Sequence, residues 1–225
     1  MLLENLSLTT PNPNHEKLVA LIHGHANIIY LPSKKVFLEP GMPMDGIYYI
    51  IDGRTRHYMM NSSGVEKILY TLTKGWFYGL TAYDLQRPTG LYSATEVDTT
   101  FYQIPFPDYR MLLNNSLFRD AILECQARKT AIMRYEIENL TYNSCKDRLK
   151  ILLCATADTA CQTEGKWYKT KIHYTQYEIS TIIGASRVTI SKLLTELCED
   201  GFVRMLNRKI EINIQQYNEF VRKQK

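Results

Sequence analysis

Residues Thr175–Leu197 read TQYEISTIIGASRVTISKLLTEL, and the fold of the C-terminal third turns on this stretch. Thr175 followed three residues later by Glu178 is a capping-box pair, so a helix starts there. Gly184 ends it, because a sharp exit calls for a residue that enters the left-handed region cheaply. Ser186 then caps a second helix that runs to about Cys198. Ile179, Ile183, Ile190, Leu193 and Leu194 fall on the inner faces, and the small Ser180 lets the two helices approach. Left outward on the first turns of the second helix are Arg187, Val188, Thr189, Ser191 and Lys192. This is the arrangement of a helix-turn-helix, whose second helix enters the major groove of DNA. In that reading Val188 and Ser191 meet base edges and Lys192 meets a base edge or a phosphate. Arg187 and Thr189 hold phosphates, and Thr175 belongs to the same DNA-facing set.

Downstream, Phe202–Leu206 and Ile210–Ile214 alternate around Asn207-Arg208-Lys209. That pattern predicts a β-hairpin with a basic tip, a wing whose Arg208 and Lys209 touch phosphates or remain solvated turn charges. Upstream, Ser144 and Asp147 form another cap, for a helix to about Ala157, and Thr141–Asn143 is a break that marks a hinge. Between Phe118 and Leu140 there is neither Gly nor Pro and helix formers dominate. Ile122, Cys125 and Ile132 share one stripe of this helix, and Met133, Ile137 and Leu140 a neighbouring one. Two stripes mean two surfaces to cover, the preceding domain and a partner helix, and the six are the candidate dimerisation residues.

The stretch from Ile28 to about Pro105 is punctuated differently. Short β-branched and aromatic runs at Val36–Leu38, Ile47–Ile51, Thr55–Met60, Ile68–Leu72, Ser93–Val97 and Thr100–Ile104 alternate with turn pairs such as Pro40-Gly41 and Asp52-Gly53. Strands at such spacing predict an all-β sandwich or barrel. The fold class is therefore α+β. Residues 1–115 are expected to form an effector-sensing β-barrel, 116–143 a dimerisation helix and hinge, and 144–225 a winged-helix DNA-binding domain.

Composition narrows the function further. From Ser144 onward there are 14 Lys+Arg against 9 Asp+Glu, whereas the first 143 residues carry 13 against 14. A basic C-terminal part beside a neutral N-terminal one suits a polyanionic partner, double-stranded DNA. No apolar run approaches the roughly 18–20 residues that span a bilayer, and the N-terminus lacks a signal core, so a cytoplasmic protein without membrane contact is expected. The cysteines Cys125, Cys145, Cys154, Cys161 and Cys198 show no close spacing, so no metal or other cofactor is expected, although a redox-responsive regulator using thiols stays open as an alternative. The five histidines are scattered, with only His23 and His25 near one another, and no nucleophile elbow, HExxH or P-loop occurs. An enzyme is not expected.

With both halves in view, the chain resembles the Crp/Fnr family of bacterial transcription regulators over nearly its whole length. The matching residues are Glu39-Pro40-Gly41, Tyr48–Gly53, Gly64, Gly75–Gly79 and Ala94 in the barrel, followed by the long helix and the 175–197 segment in order. The resemblance implies a cyclic-nucleotide-binding-type β jelly roll, a long dimerisation helix and a C-terminal winged helix-turn-helix acting as a homodimer, with a small-molecule effector and RNA polymerase as partners. The departures are specific. Members that bind cyclic AMP carry Glu where Leu80 stands and an Arg-Ser pair where Tyr92-Ser93 stands. A cyclic phosphate needs a cation to offset its charge, so a cyclic nucleotide is not the expected effector. Oxygen-sensing members carry an N-terminal cysteine cluster, and here the first 124 residues hold no Cys. Many relatives have Glu where Val188 stands; Val packs instead on a thymine methyl, which predicts an A·T pair.

Arg187–Lys192 and Thr141-Tyr142-Asn143 are most similar to the halorespiration regulators that sense chlorinated phenols, which implies an A/T-rich palindrome and an aromatic effector. The pocket would lie between barrel and long helix. Tyr78, Gly79, Leu80, Thr81, Tyr83, Tyr92 and Ser93 would line it, and Arg128 or Lys129 would descend from the helix to pair with a phenolate. A sensory module of the same fold acting through protein contacts is the other alternative.

Overall fold

The computed structural model describes residues 12–207 and 209–223. They form two compact units, one of residues up to 60 and 68–136, the other of residues 61–67 and from 137 onward, so that one long helix belongs to both. In the first, α1 (His15–Ile22) leads through a single 3-10 turn to β1 (Asn27–Leu31), β2 (Val36–Leu38), β3 (Gly46–Asp52), β4 (Arg54–Met60), β5 (Glu66–Thr73) and β6 (Phe77–Tyr78). The short α2 (Leu80–Asp84), β7 (Tyr92–Thr95), β8 (Thr99–Pro105) and α3 (Phe106–Leu112) follow, and then α4 (Ser116–Tyr142). The strands make two four-stranded sheets, in the orders β1-β8-β3-β6 and β2-β7-β4-β5. All six strands read from the sequence are present; β1 and the two-residue β6 are additional.

Packing explains why β3 does not alternate. Ile47, Tyr49 and Ile50 are all fully buried, because one face of the strand looks into the barrel and the other lies under α1. There the Tyr49 hydroxyl meets His15 Nδ1 at 2.9 Å, and Leu18 and Ile22 of α1 join the same apolar cluster. Tyr49 also leans on Phe77, with ring centroids 4.7 Å apart.

Helix α4 has 27 residues, about 40 Å at the usual rise. Phe118, Ala121, Ile122, Cys125 and Ile132 form its buried stripe, inside the first unit's core. This narrows the expected dimer set: Ile122, Cys125 and Ile132 are buried within their own chain, which leaves them little area for a partner. The Cys125 thiol, for instance, donates to the Phe77 carbonyl at 3.5 Å. The adjoining stripe is different. Ile137, Leu140 and also Leu123 are exposed, and Met133 is half-buried.

The second unit runs α5 (Cys145–Thr156), β9 (Ala157–Thr163), β10 (Trp167–Thr170), α6 (Gln176–Ile183), α7 (Arg187–Glu199), β11 (Val203–Leu206), β12 (Lys209–Asn213) and α8 (Ile214–Lys223). Ser144 caps α5, its Oγ accepting from the Asp147 amide at 3.1 Å. The four strands form one antiparallel sheet in the order β11-β12-β10-β9. Leu149, Ile179, Ile183, Ile190, Leu197, Phe202, Val203 and Ile212 close the core between sheet and helices. The β9–β10 hairpin and α8 were not expected from the sequence. A guanidinium fastens the sheet. Arg204 of β11 reaches Glu211 of β12 and Glu164 of the β9–β10 turn, each at 2.8 Å, and lies over the Trp167 ring of β10 at 4.8 Å. Glu211 is 3% exposed and takes a further hydrogen bond from Thr163 at 3.0 Å.

Candidate functional site

The helix pair at 175–197 forms by the local rules its sequence announces. Glu178 N–H donates to Thr175 Oγ1 at 3.2 Å, and Thr175 N–H donates back to Glu178 Oε2 at 2.7 Å, so both halves of the capping box are made. Gly184 ends α6 at φ +74°, a left-handed conformation that would strain any other L-residue. Ser186 Oγ accepts from the Thr189 amide at 3.1 Å, which fixes the first turn of α7.

Burial then sorts the side chains of α7. Ile190, Leu194 and Leu197 face inward. Arg187, Thr189, Ser191 and Lys192 are exposed, and Val188 is 65% exposed among them. Thr175 is exposed at the start of α6. In the wing, Leu206 pairs with Lys209 across Asn207, which adopts φ +50°. Lys209 is exposed; Arg208 lies outside the described residues. The unit therefore presents a capped helix with one polar, partly cationic face beside a hairpin, a shape that fits a major groove and its flanking phosphates.

The barrel holds a second constellation. His57 of β4 is fully buried, with Nε2 2.9 Å from Thr55 Oγ1 and Nδ1 3.0 Å from Ser93 Oγ. Two hydroxyls that can each donate or accept suit the neutral ring, which offers one of each. The imidazole stacks on Tyr78 with centroids 4.1 Å apart and leans on Tyr70 at 5.0 Å. The Tyr78 hydroxyl bonds Thr89 Oγ1 at 2.9 Å. Lys129 of α4 completes the group. Its ammonium donates to the Phe77 carbonyl at 2.7 Å and lies 5.3 and 5.8 Å from the centroids of the Tyr70 and Tyr78 rings. Burial holds the Lys129 pKa below its ordinary value, and burial likewise pushes the Tyr70 and Tyr78 hydroxyls up.

Of the expected effector residues, the fold brings together Tyr78, Ser93 and Lys129. Gly79 stands beside them as the N-cap of α2, with φ +98°, and Leu80 is buried in the core. Others are not brought in. Tyr92 pairs with Tyr58 across the β4–β7 ladder, while Ser93 pairs with His57; because successive side chains on a strand point to opposite faces, Tyr92 is turned away from the inner cluster. Tyr83 packs on Phe106 and Tyr109 and takes a hydrogen bond from Arg110. Thr81 is exposed. Arg128 is not the descending cation either: it pairs with Glu124 on its own helix at 2.8 Å and lies over Trp76. Sequence reasoning missed His57, Tyr70 and Thr89, which carry no motif; only the alternation of β4, which places His57 and Thr55 on one face, pointed towards the first.

Residues 28–116 match the family of cyclic nucleotide-binding domains, and residues 147–217 match the Crp-like helix-turn-helix domain. The chain belongs to the Crp/Fnr family. Curated members similar to it include the cAMP-activated global transcriptional regulator CRP of Salmonella typhimurium, 23% identical over 193 residues that cover 84% of this chain and 90% of the relative. Another is the transcriptional regulator SdrP of Thermus thermophilus, 26% identical over 182 residues, 79% of this chain and 85% of that one. Among solved structures, the c-di-GMP-responsive global regulator CLP of Xanthomonas campestris shares the fold with a TM-score of 0.74 at 16% identity, covering 88% of this chain and 98% of its own. OCPA-complexed CprK does so with a TM-score of 0.69 at 16% identity, covering 91% and 92%. The family assignment makes the chain a DNA-binding transcription regulator with an effector-binding domain. No described helix is long and apolar enough to cross a membrane.

The buried imidazole gives the barrel a signed pH dependence. Burial, assisted by the charge of Lys129, holds the His57 pKa well below 6.5 in the folded chain. In the unfolded chain the ring takes up a proton below about 6.5. His57 therefore costs nothing above that pH, and stability falls as pH drops below it, by up to about 1.4 kcal/mol per pH unit until the folded ring protonates. Urea melts between about pH 6.5 and 5 should show a shallower slope for His57→Gln than for the parent chain. Equal slopes would mean that this ring is not a buried titrating group.

Proposed function

We propose that the chain is a homodimeric, effector-gated regulator that reads an A/T-rich palindrome and responds to a small aromatic anion rather than to a cyclic nucleotide. One observation carries the DNA part: the Ser186-capped first turns of α7 hold Val188 and its polar neighbours in solvent while Ile190, Leu194 and Leu197 anchor the other face. Val188 offers only methyl groups, which pack on the thymine methyl and accept nothing from cytosine N4. Ser191 reaches the neighbouring base edge, Lys192 a base edge or a phosphate, and Arg187, Thr189, Thr175 and Lys209 the phosphates. Two such helices enter successive major grooves when they are about 34–36 Å apart.

The exposed stripe of α4 supports the dimer. Leu123, Gln126, Thr130, Met133, Ile137 and Leu140 recur at spacings of three and four, a heptad seam. In the barrel, Lys129 supports an anionic aromatic ligand. It is a cation among tyrosine rings, and no carboxylate among the described residues pairs with it. No arginine stands at Tyr92, where a cyclic phosphate would be met in cyclic-AMP-binding members. Ligand on Lys129 would bias the packing of α4, and the hinge at Asn143, just before the Ser144-capped α5, would convert that bias into the separation of the two recognition helices. Couplings of this kind are typically about 1–3 kcal/mol.

Three outcomes follow. Selection from randomised duplexes should return an A/T-rich palindrome for the parent chain, with Val188→Glu moving the preference at one symmetric position towards C·G by roughly 1–3 kcal/mol; a variant that keeps the original choice refutes the assignment of Val188. Ile137→Glu places like charges across the seam. Sedimentation should show monomers, and half-site binding alone should lower DNA affinity by a factor of about 100 or more. With 2,4-dichlorophenol as probe, gel-shift titration should show an affinity change of about fivefold or more for the parent and none for Lys129→Leu; identical titrations of the parent with and without probe count against gating by this class of compound.

A further inference from the structure

The second unit contains a cavity to which no occupant has been assigned. It has a volume of about 270 Å³ and lies between α7 and the wing. Leu194 of α7 and Ile210 of β12 form part of its apolar wall, and Ile172 and Met205, about half exposed, stand at its mouth. An adjoining hollow of about 230 Å³ shares Thr170, His173, Lys209 and Ile210 with it. The hollow is open to solvent, and Ile172 and Met205 leave apolar surface beside it that the body of a ligand can cover.

The polar lining has one sign. Lys209 and His173 contribute cationic or potentially cationic groups, and none of the residues lining the larger cavity is Asp or Glu. The only acid in the adjoining hollow, Glu211, is already held by Arg204 and Thr163. Apolar walls with a cation at the edge fit a molecule with a flat hydrocarbon body and one anionic group. The volume is below the ~300 Å³ at which drug-sized sites begin, which limits the body to about two fused rings. We propose that this cavity is a second ligand site, for a small aromatic carboxylate or a similar organic anion, and that its occupation opposes DNA binding. The opposition follows from shared groups. Thr175, Ser191 and Lys209 line the cavity and also belong to the DNA-facing set, so an anion drawn to Lys209 competes with a phosphate for the same ammonium. The site stands on the cavity itself; only its effect on DNA rests on the DNA-binding reading.

The probe is naphthalene-2-carboxylate, added to the full chain carrying carbon-13-labelled methionine methyls, with Met205 assigned by Met205→Leu. A saturable shift of the Met205 methyl is expected, weaker by about tenfold for neutral naphthalene-2-methanol. Lys209→Gln should erase that preference for the carboxylate. Thr195→Trp fills the cavity from an exposed position on α7. It should abolish the Met205 shift and the antagonism while keeping ligand-free DNA affinity within about threefold; unshifted methyls elsewhere report that the variant is folded. A Met205 methyl that stays put in the parent, or moves equally in Thr195→Trp, refutes the site. A saturable shift with unchanged DNA affinity refutes the antagonism. A shift in a chain that binds no duplex upholds the site and removes the DNA-binding reading instead.

Discussion

The inner face of α7 governs what the second unit can do. Ile190, Leu194 and Leu197 pack against Ile179 and Ile183 of α6 and the Phe202–Val203 strand, and burial of side chains of this size contributes roughly 1.5–3 kcal/mol each. With that face committed, the helix cannot rotate to hide Val188. A small apolar group is thereby held in water on the first turn of α7. The capping box at Thr175, the left-handed Gly184 and the Ser186 cap set where each helix begins, so the angle of presentation follows from local chemistry as much as from the core.

That dependence on local chemistry is why this region is legible in the sequence. A cap, a glycine and a second cap act within a few residues, and the inward spacing of the isoleucines and leucines confirms them independently. The barrel strands were legible for a similar reason, since turn pairs such as Asp52-Gly53 bracket their β-branched runs. What escaped were elements without punctuation. β6 is two residues long, and β9 (ADTACQT) lacks the alternating apolar pattern because its side chains are mostly on the surface. The barrel site was harder still. Arg128 and Lys129 are neighbours about 100° apart around α4, and only the position of the barrel decides which descends. Ile122, Cys125 and Ile132 misled in the same way: both apolar stripes of α4 look alike in sequence, and the one that meets the barrel is distinguished by Phe77 and its surroundings, distant in the chain.

The cluster around His57 shows how the family scaffold has been refitted. Where the resemblance leads one to expect an arginine near a ligand phosphate, this chain carries a neutral imidazole, three hydroxyl residues and two tyrosines, with a lysine delivered from the helix. Such an interior tolerates one negative charge beside Lys129 and penalises a second, because desolvation already disfavours ionisation throughout the group. The same lysine ties the barrel wall to α4 through its hydrogen bond to the Phe77 carbonyl.

The guanidinium of Arg204 joins three strands and a turn, with Glu211 sealed beneath it and Glu164 holding its outer fork. The two hairpins of the four-stranded sheet are consequently cross-linked by one side chain as well as by the β10–β12 ladder. The Thr163–Lys166 turn is thereby tied through Arg204 to β12, the strand that begins at Lys209. Loss of this one side chain would therefore loosen the β9–β10 turn and the wing strands together, so their order is set by a single guanidinium.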